Sequence, residues 1–292
     1  MIYNVRHLTA YHYDLPVGAA RLALRITPRD EDGQHCSRQD LRIAPLPESV
    51  TAEHDFYGNV VNIVTIETPH TELSIESTAR VEVSREACGT PGPQWQSVAE
   101  AALADRDLSR SAPVHFLFPS PRIELSADVT RYTRDSFPPG RGIVDACREL
   151  IRRIRGDFVY EAEATGIATP LTQAFAQRRG VCQDFAHIMI AGLRGLGLPA
   201  AYVSGYIRTI PPPGEKRLEG ADATHAWVSV WCGPQAGWFG FDPTNAIEAL
   251  NDHIALAVGR DFSDVSPVYG VFVGSGANEL DVEVDVIPVK AP

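Results

Sequence analysis

What the sequence has little of narrows it first. Five cysteines, Cys36, Cys88, Cys147, Cys182 and Cys232, are scattered through 292 residues with no C-x-x-C pair among them. That spacing suits neither a disulfide framework nor a zinc knuckle, so reduced thiols are expected. Positive charge is also scarce: 26 lysines and arginines face 37 acidic residues, a formal net charge of −11. Nucleic-acid binding needs cations clustered on one face, and no such block is present, so no nucleic-acid partner is expected. The most basic stretch, "RELIRRIRG" at 148–156, reads as the solvated side of a helix. Nowhere do about 18 apolar residues run together, and "MIYNVRHLTAYHYD" lacks a basic segment followed by a long apolar one. A cytoplasmic protein without membrane association is expected.

The residues that are present divide the chain. From 2 to about 87, apolar and polar residues alternate in segments such as "AARLALRITP" and "TELSIESTARVEVS", punctuated by Pro, Asp-Gly and Tyr-Gly-Asn. Alternation of this kind predicts antiparallel strands with one wet face, here an N-terminal β-sandwich over 1–90. "CGTPGPQW" at 88–95 breaks the pattern. Helical character follows around "SVAEAALADRDL", and again over roughly 141–155, where Ile143, Cys147, Leu150 and Ile154 form an apolar stripe. Cys147 is thereby a core residue. A second domain is expected over 96–250, with 251–292 as a C-terminal extension whose strands return to the N-terminal sheet.

Three residues combine into a chemical possibility. Cys182 opens a helix in which Cys182, Phe185, Met189, Leu193 and Leu196 follow one stripe, so spacing alone turns the cysteine inward as a structural residue would be. Its place at the helix N-terminus points the other way, because free N–H groups and the macrodipole there favour an anion such as a thiolate. A nucleophilic thiol needs a base and a group that orients the base. His187 lies about 140° round the helix from Cys182 and reads as a packing residue.

His225 shares one strand face with Trp227, Ser229 and Trp231, and a hairpin then brings "GWFGFDPTN" alongside. A two-residue "GP" loop sets His225 directly opposite Asp242. A four-residue "GPQA" loop makes Asp242 its diagonal neighbour on the same face. An odd loop separates them. Singly each residue has an ordinary structural reading, Asp242 as turn chemistry before Pro-Thr-Asn. Together they supply nucleophile, base and orienting acid. Zinc is the competing use of Cys, His and Asp, but no H-x-x-x-H or C-x-x-C pair supports a metal site.

On the segments "RRGVCQDFAH", "GLRGLGLPAAYVSGYI", "GADATHAWVSVW", "GWFGFDPTN" and "NDHIALAVGRDFSDVSPVYGVFVGSG", the chain resembles the bacterial transglutaminase-like proteins. The resemblance covers nearly the whole chain. Its small departures are Thr224, where Ser is common, and Phe262, where Tyr is common. It implies an α+β fold: a papain/transglutaminase-like core, with the Cys helix packed on an antiparallel sheet, behind an N-terminal antiparallel β-sandwich. It also implies Cys182 as nucleophile, His225 as base and Asp242 as the residue orienting it.

The implied reaction is acyl transfer on amide or peptide bonds through a thioester, as a cysteine peptidase or amidase, with protein-glutamine transglutaminase as the alternative. A non-catalytic peptide-binding module is a further alternative. Besides the Cys182 N–H, Tyr160 or Gln183 would complete an oxyanion hole. Trp227 and Asp222 would line the substrate cleft beside the Pro-rich loop 208–222. No cofactor is implied, since the thiol supplies the chemistry. The expected partners are a peptide or protein substrate and a protein bound through the β domain.

Overall fold

The computed structural model describes residues 1–88, 91–209 and 223–289. Six strands open the chain: β1 (Ile2–Val17), β2 (Ala19–Leu24), β3 (Gln34–Ala44), β4 (Ser49–His54), β5 (Val60–Ile66) and β6 (His70–Val83). Helices α1 (Trp95–Ala104), α2 (Ala127–Arg134) and α3 (Ile143–Asp157) follow. Next come β7 (Val159–Tyr160), α4 (Leu171–Gln177), β8 (Arg179–Gly180) and the central helix α5 (Cys182–Gly195). The chain continues through β9 (Ala200–Ile207), β10 (Ala223–Trp231), β11 (Trp238–Asp242), β12 (Ile247–Glu248) and β13 (His253–Gly259). It ends with α6 (Phe262–Val265), β14 (Val268–Val273) and β15 (Asn278–Pro288).

Period-two burial builds the sandwich. In β6, Leu73, Ile75, Ala79, Val81 and Val83 turn inward while Glu72, Arg80 and Glu82 face water. Two antiparallel sheets result, ordered β15-β1-β6-β3 and β14-β2-β5-β4. Leu22, Leu24, Val64 and Ile66 of one sheet meet Leu73 and Ile75 of the other.

The second part is a five-stranded antiparallel sheet, β12-β11-β10-β9-β13, with α5 packed on β9 and β10. The stripe on α5 is buried as its spacing predicts, with Phe185, Met189 and Leu193 at 1% exposure or less. The opposite side of the helix is buried too, because α2, α3 and α4 enclose it. Close approach of α2 depends on two missing side chains: a Cβ at Gly192 would lie 2.8 Å from that of Thr133, and one at Gly195 3.0 Å from that of Thr130.

The segment 251–292 is not one extension. Its first strand, β13, pairs with β9 inside the core sheet, because "HIALAVG" is apolar on both faces and is buried on both. Only β14 and β15 go to the N-terminal sheets, pairing with β2 and β1. The two parts of the chain share a core, in which Tyr3, Val5, Val81, Val83, Val284 and Val286 pack on Tyr206, Ile254 and Leu256.

Candidate active site

Cys182 is the first residue of α5, half-buried against the main core. As first helical residues, Cys182 and Gln183 have backbone N–H groups without an i−4 carbonyl in the helix. Asp184, at the third position, reaches back and accepts from the Val181 N–H at 2.8 Å and from the Thr165 hydroxyl at 2.6 Å. Gly180 makes this possible, since a Cβ there would sit 2.5 Å from the Asp184 carboxylate. The buried acid thus fixes the angle at which the chain enters the helix, and so the direction of the thiol.

His225 and Asp242 converge as the four-residue loop requires. Val228 lies opposite Phe241 and Trp231 opposite Trp238, and Cys232 N–H closes on Gly237 C=O around "GPQA". Asp242, fully buried at the end of β11, is therefore diagonal to His225 on one face. Its Oδ2 meets His225 Nε2 at 2.8 Å. Oδ1 accepts the N–H groups of Thr244 and Asn245 at 2.9 and 3.1 Å, so "DPTN" is turn chemistry and carboxylate support at once.

With Nε2 on Asp242, the other ring nitrogen is the one left for Cys182. Burial pulls the His225 pKa down, but the bond to Asp242 and the influence of the nearby Cys182 outweigh it and raise the value to about 10. Burial likewise opposes ionisation of Asp242, yet bonds from two histidines hold its pKa far below the usual carboxylate range. A protonated imidazole between a thiol and a carboxylate can both stabilise a thiolate and deliver a proton.

The second of those histidines, His253, carries no signal in the local sequence. It opens β13, is 1% exposed, and places Nε2 3.1 Å from the same Asp242 oxygen. His225, Asp242 and His253 offer ligand atoms within 4.8 Å of one another, a set that could hold a divalent ion. The separations of 2.8 and 3.1 Å are those of N–H···O bonds, so protons already occupy the line between each pair.

The other expected residues divide. Tyr160 lies on β7 opposite Gly180, next to the entry to α5, and is 52% exposed; burial raises its pKa. Gln183 is half-buried beside Cys182. Trp227 is not part of an open cleft at the thiol. It is 3% exposed, stacked on His225 and edge-on to His253, on the strand face it shares with His225, and from there it looks toward the N-terminal sheets. A cavity of about 680 Å³ lies on that side, between Trp227, Ser229 and Val203 of the core sheet and Arg29, Tyr57 and Arg85 of the sandwich. Its lining does not include Cys182, His225 or Asp242. Asp222 and loop residues 210–222 lie outside the described residues. His187 is a packing residue, 4% exposed, whose Nε2 accepts from Phe262 N–H.

Comparison with known proteins agrees with this fold. Residues 3–82 match the bacterial transglutaminase-like N-terminal region, and residues 128–243 match the transglutaminase-like superfamily. An uncharacterized protein of Mycobacterium tuberculosis is 39% identical over 297 residues, covering 99% of this chain and 93% of that protein. A protein-glutamine gamma-glutamyltransferase of Pseudomonas aeruginosa is 32% identical over 141 residues, 42% of this chain and 21% of that protein. Among solved structures, one from Cytophaga hutchinsonii, described as a candidate cysteine protease, superposes with a TM-score of 0.78 at 21% identity, over 100% of this chain and 92% of that one. With both segments matched in order and a relative this similar along nearly its full length, the chain belongs to the transglutaminase-like superfamily, in the bacterial group that carries this N-terminal region.

Proposed function

We propose that the protein is a cysteine peptidase or amidase that cleaves amide bonds through a thioester on Cys182. The observation that carries this reading is the single imidazole of His225, held 2.8 Å from a fully buried carboxylate and close enough to Cys182 for the thiol to raise its pKa. In the first half-reaction the thiolate forms a C–S bond to the substrate carbonyl carbon. The resulting oxyanion meets the Cys182 backbone N–H, with the Tyr160 hydroxyl as second donor. The C–N bond breaks as His225 gives its proton to the departing amine. In the second, neutral His225 takes a proton from water, the new C–O bond forms, and the thiolate leaves.

An amine in place of water makes the same thioester the intermediate of a transglutaminase. The segment similar to a protein-glutamine gamma-glutamyltransferase is the observation that favours this second reading. Incubation of the full chain with glutamine-containing peptides and a fluorescent primary amine separates the two. New peptide termini or free ammonia without label supports hydrolysis; net incorporation of label reverses the choice. Both products should vanish in Cys182→Ala. Product formation undiminished in that variant would remove the thiol from the mechanism.

A further inference from the structure

His253 is carried by β13, at the opposite edge of the core sheet from β11 and β12. It nevertheless reaches Asp242 Oδ2, the oxygen that also receives His225. The middle strand makes room for it. Gly205 on β9 pairs with His225 on one side and Ala255 on the other, and a Cβ there would come within 2.5 Å of the Trp227 ring. Trp227 and His253 meet edge to face, ring centres 5.1 Å apart.

The contact to the ionised Asp242 is a donation by His253, since a carboxylate has no proton to give. The His253 proton is therefore on Nε2, and Nδ1 is buried without a partner among the described residues. A second proton on Nδ1 would bury an N–H with no acceptor, which disfavours the cation. The charged and titratable groups facing this ring are Asp242 on β11, His225 on β10 and Arg85 after β6, whose guanidinium donates to the His253 backbone carbonyl at 2.7 Å. Two of the three are positive and oppose further positive charge. The two imidazoles on one oxygen thus differ in kind: His225 has Cys182 on its far side, and His253 has no hydrogen-bond partner there among the described residues.

We propose that His253 is a positioning residue for acyl transfer, an uncharged donor that holds Asp242 Oδ2 turned toward His225 without adding a cation that would compete for the carboxylate. Asn245 Nδ2 also donates to Oδ2, at 2.8 Å, but it belongs to the turn that follows Asp242 and moves with it. His253 ties the carboxylate to a different element of the sheet. The proposal rests on the reading of Cys182 and His225 as the reacting pair.

Gln and Met match each other closely in length and volume, and only Gln can donate a hydrogen bond. The test follows alkylation of Cys182 by iodoacetate across pH in the full chain, its His225→Ala, His253→Gln and His253→Met variants, with thermal unfolding of each. Iodoacetate is an anion favoured by the imidazolium, so its rate falls on the alkaline side as His225 loses its proton. The wild type should react faster at Cys182 than His225→Ala does, and His253→Gln should stay within about threefold of it. His253→Met should be about tenfold slower at neutral pH, its alkaline fall moved down by about one pH unit.

Wild-type Cys182 reacting no faster than in His225→Ala would defeat the acyl-transfer reading and this inference with it. Acceleration in the wild type, with folded His253→Met keeping the same rate and alkaline fall, would overturn the role of His253 alone. If His253→Met does not fold, His253→Asn replaces it: its amide is one methylene too short to reach Oδ2, and a profile equal to that of His253→Gln would equally overturn the role.

Discussion

At the scale of single residues, three buried histidines put opposite signs on the pH dependence of stability. His225 has a folded pKa of about 10 against 6.5 for the free side chain. Its contribution is fully present below pH 6.5 and is lost as pH rises through about 10. His7 and His187 go the other way, because burial lowers each to about 4. They fold neutral and unfold into forms that take up protons, so stability falls as pH drops from 6.5 toward 4, by on the order of 3 kcal/mol for each. Melting temperature should therefore decline on both sides of neutrality. Since His7 Nδ1 meets the Tyr206 hydroxyl at 2.7 Å, His7→Gln can keep a bond there and should flatten the acid decline; an unchanged acid limb would show that His7 does not cause it. His225 and Asp242 were legible in the sequence because strand alternation and an even loop are local rules. His253 and Asp184 were not, since their partners are set by how β13 and the entry to α5 are placed in three dimensions.

Elements show the same division between local pattern and packing. The alternating strands β1 to β6 announce themselves, and so does the inward stripe of α5. Nothing in the stripe says that the other side of α5 is covered as well, which follows from α2 lying against Gly192 and Gly195. The sequence of α2, "ADVTRYTR", is short and mostly polar, buries only Val129 and Thr133, and is helical in this context. A matched pair of substitutions measures that context. Gly192→Ala must push Thr133 away and should cost about 1–3 kcal/mol in urea unfolding. Gly156→Ala, on α3 with nothing within 4 Å of its Cβ, should stabilise by roughly 0.5–1 kcal/mol through propensity alone. Equal effects at the two sites would mean that α2 does not bear on α5 as closely as the glycines imply. The continuous apolar run of β13 was read into the C-terminal extension rather than the core sheet for a related reason: a strand buried on both faces has no alternation to read.

Across the whole molecule, the sandwich and the core sheet are joined at the outer edge of β13, which carries His253. Gln34 pairs both ways with Ala255, its amide donating to the carbonyl at 2.9 Å and its oxygen accepting the N–H at 2.8 Å. Asn59 does the same with Val258, at 2.8 Å in each direction. Two side-chain amides of the sandwich thus satisfy an edge that would otherwise bury unpaired backbone groups. Arg85 extends the seam, donating to the carbonyl of His253 and to Glu31 and Gln34 of the sandwich. Because the edge, the shared core and the His253 anchor are one structure, the two parts should unfold together. All four tryptophans, Trp95, Trp227, Trp231 and Trp238, lie outside the sandwich, so their fluorescence follows the second part and, through Trp227, the cavity it shares with the sandwich. Circular dichroism in the far ultraviolet follows both. The two urea transitions should coincide. Gln34→Ala, which orphans the buried Ala255 N–H at about 1–3 kcal/mol while Arg29 N–H still serves the Ala255 carbonyl, should move both midpoints down together. It should also slow Cys182 alkylation, since Ala255 lies two residues from His253. Separated transitions, or a Gln34→Ala shift confined to circular dichroism, would show that the sandwich is an appendage and that the position of His253 does not depend on it.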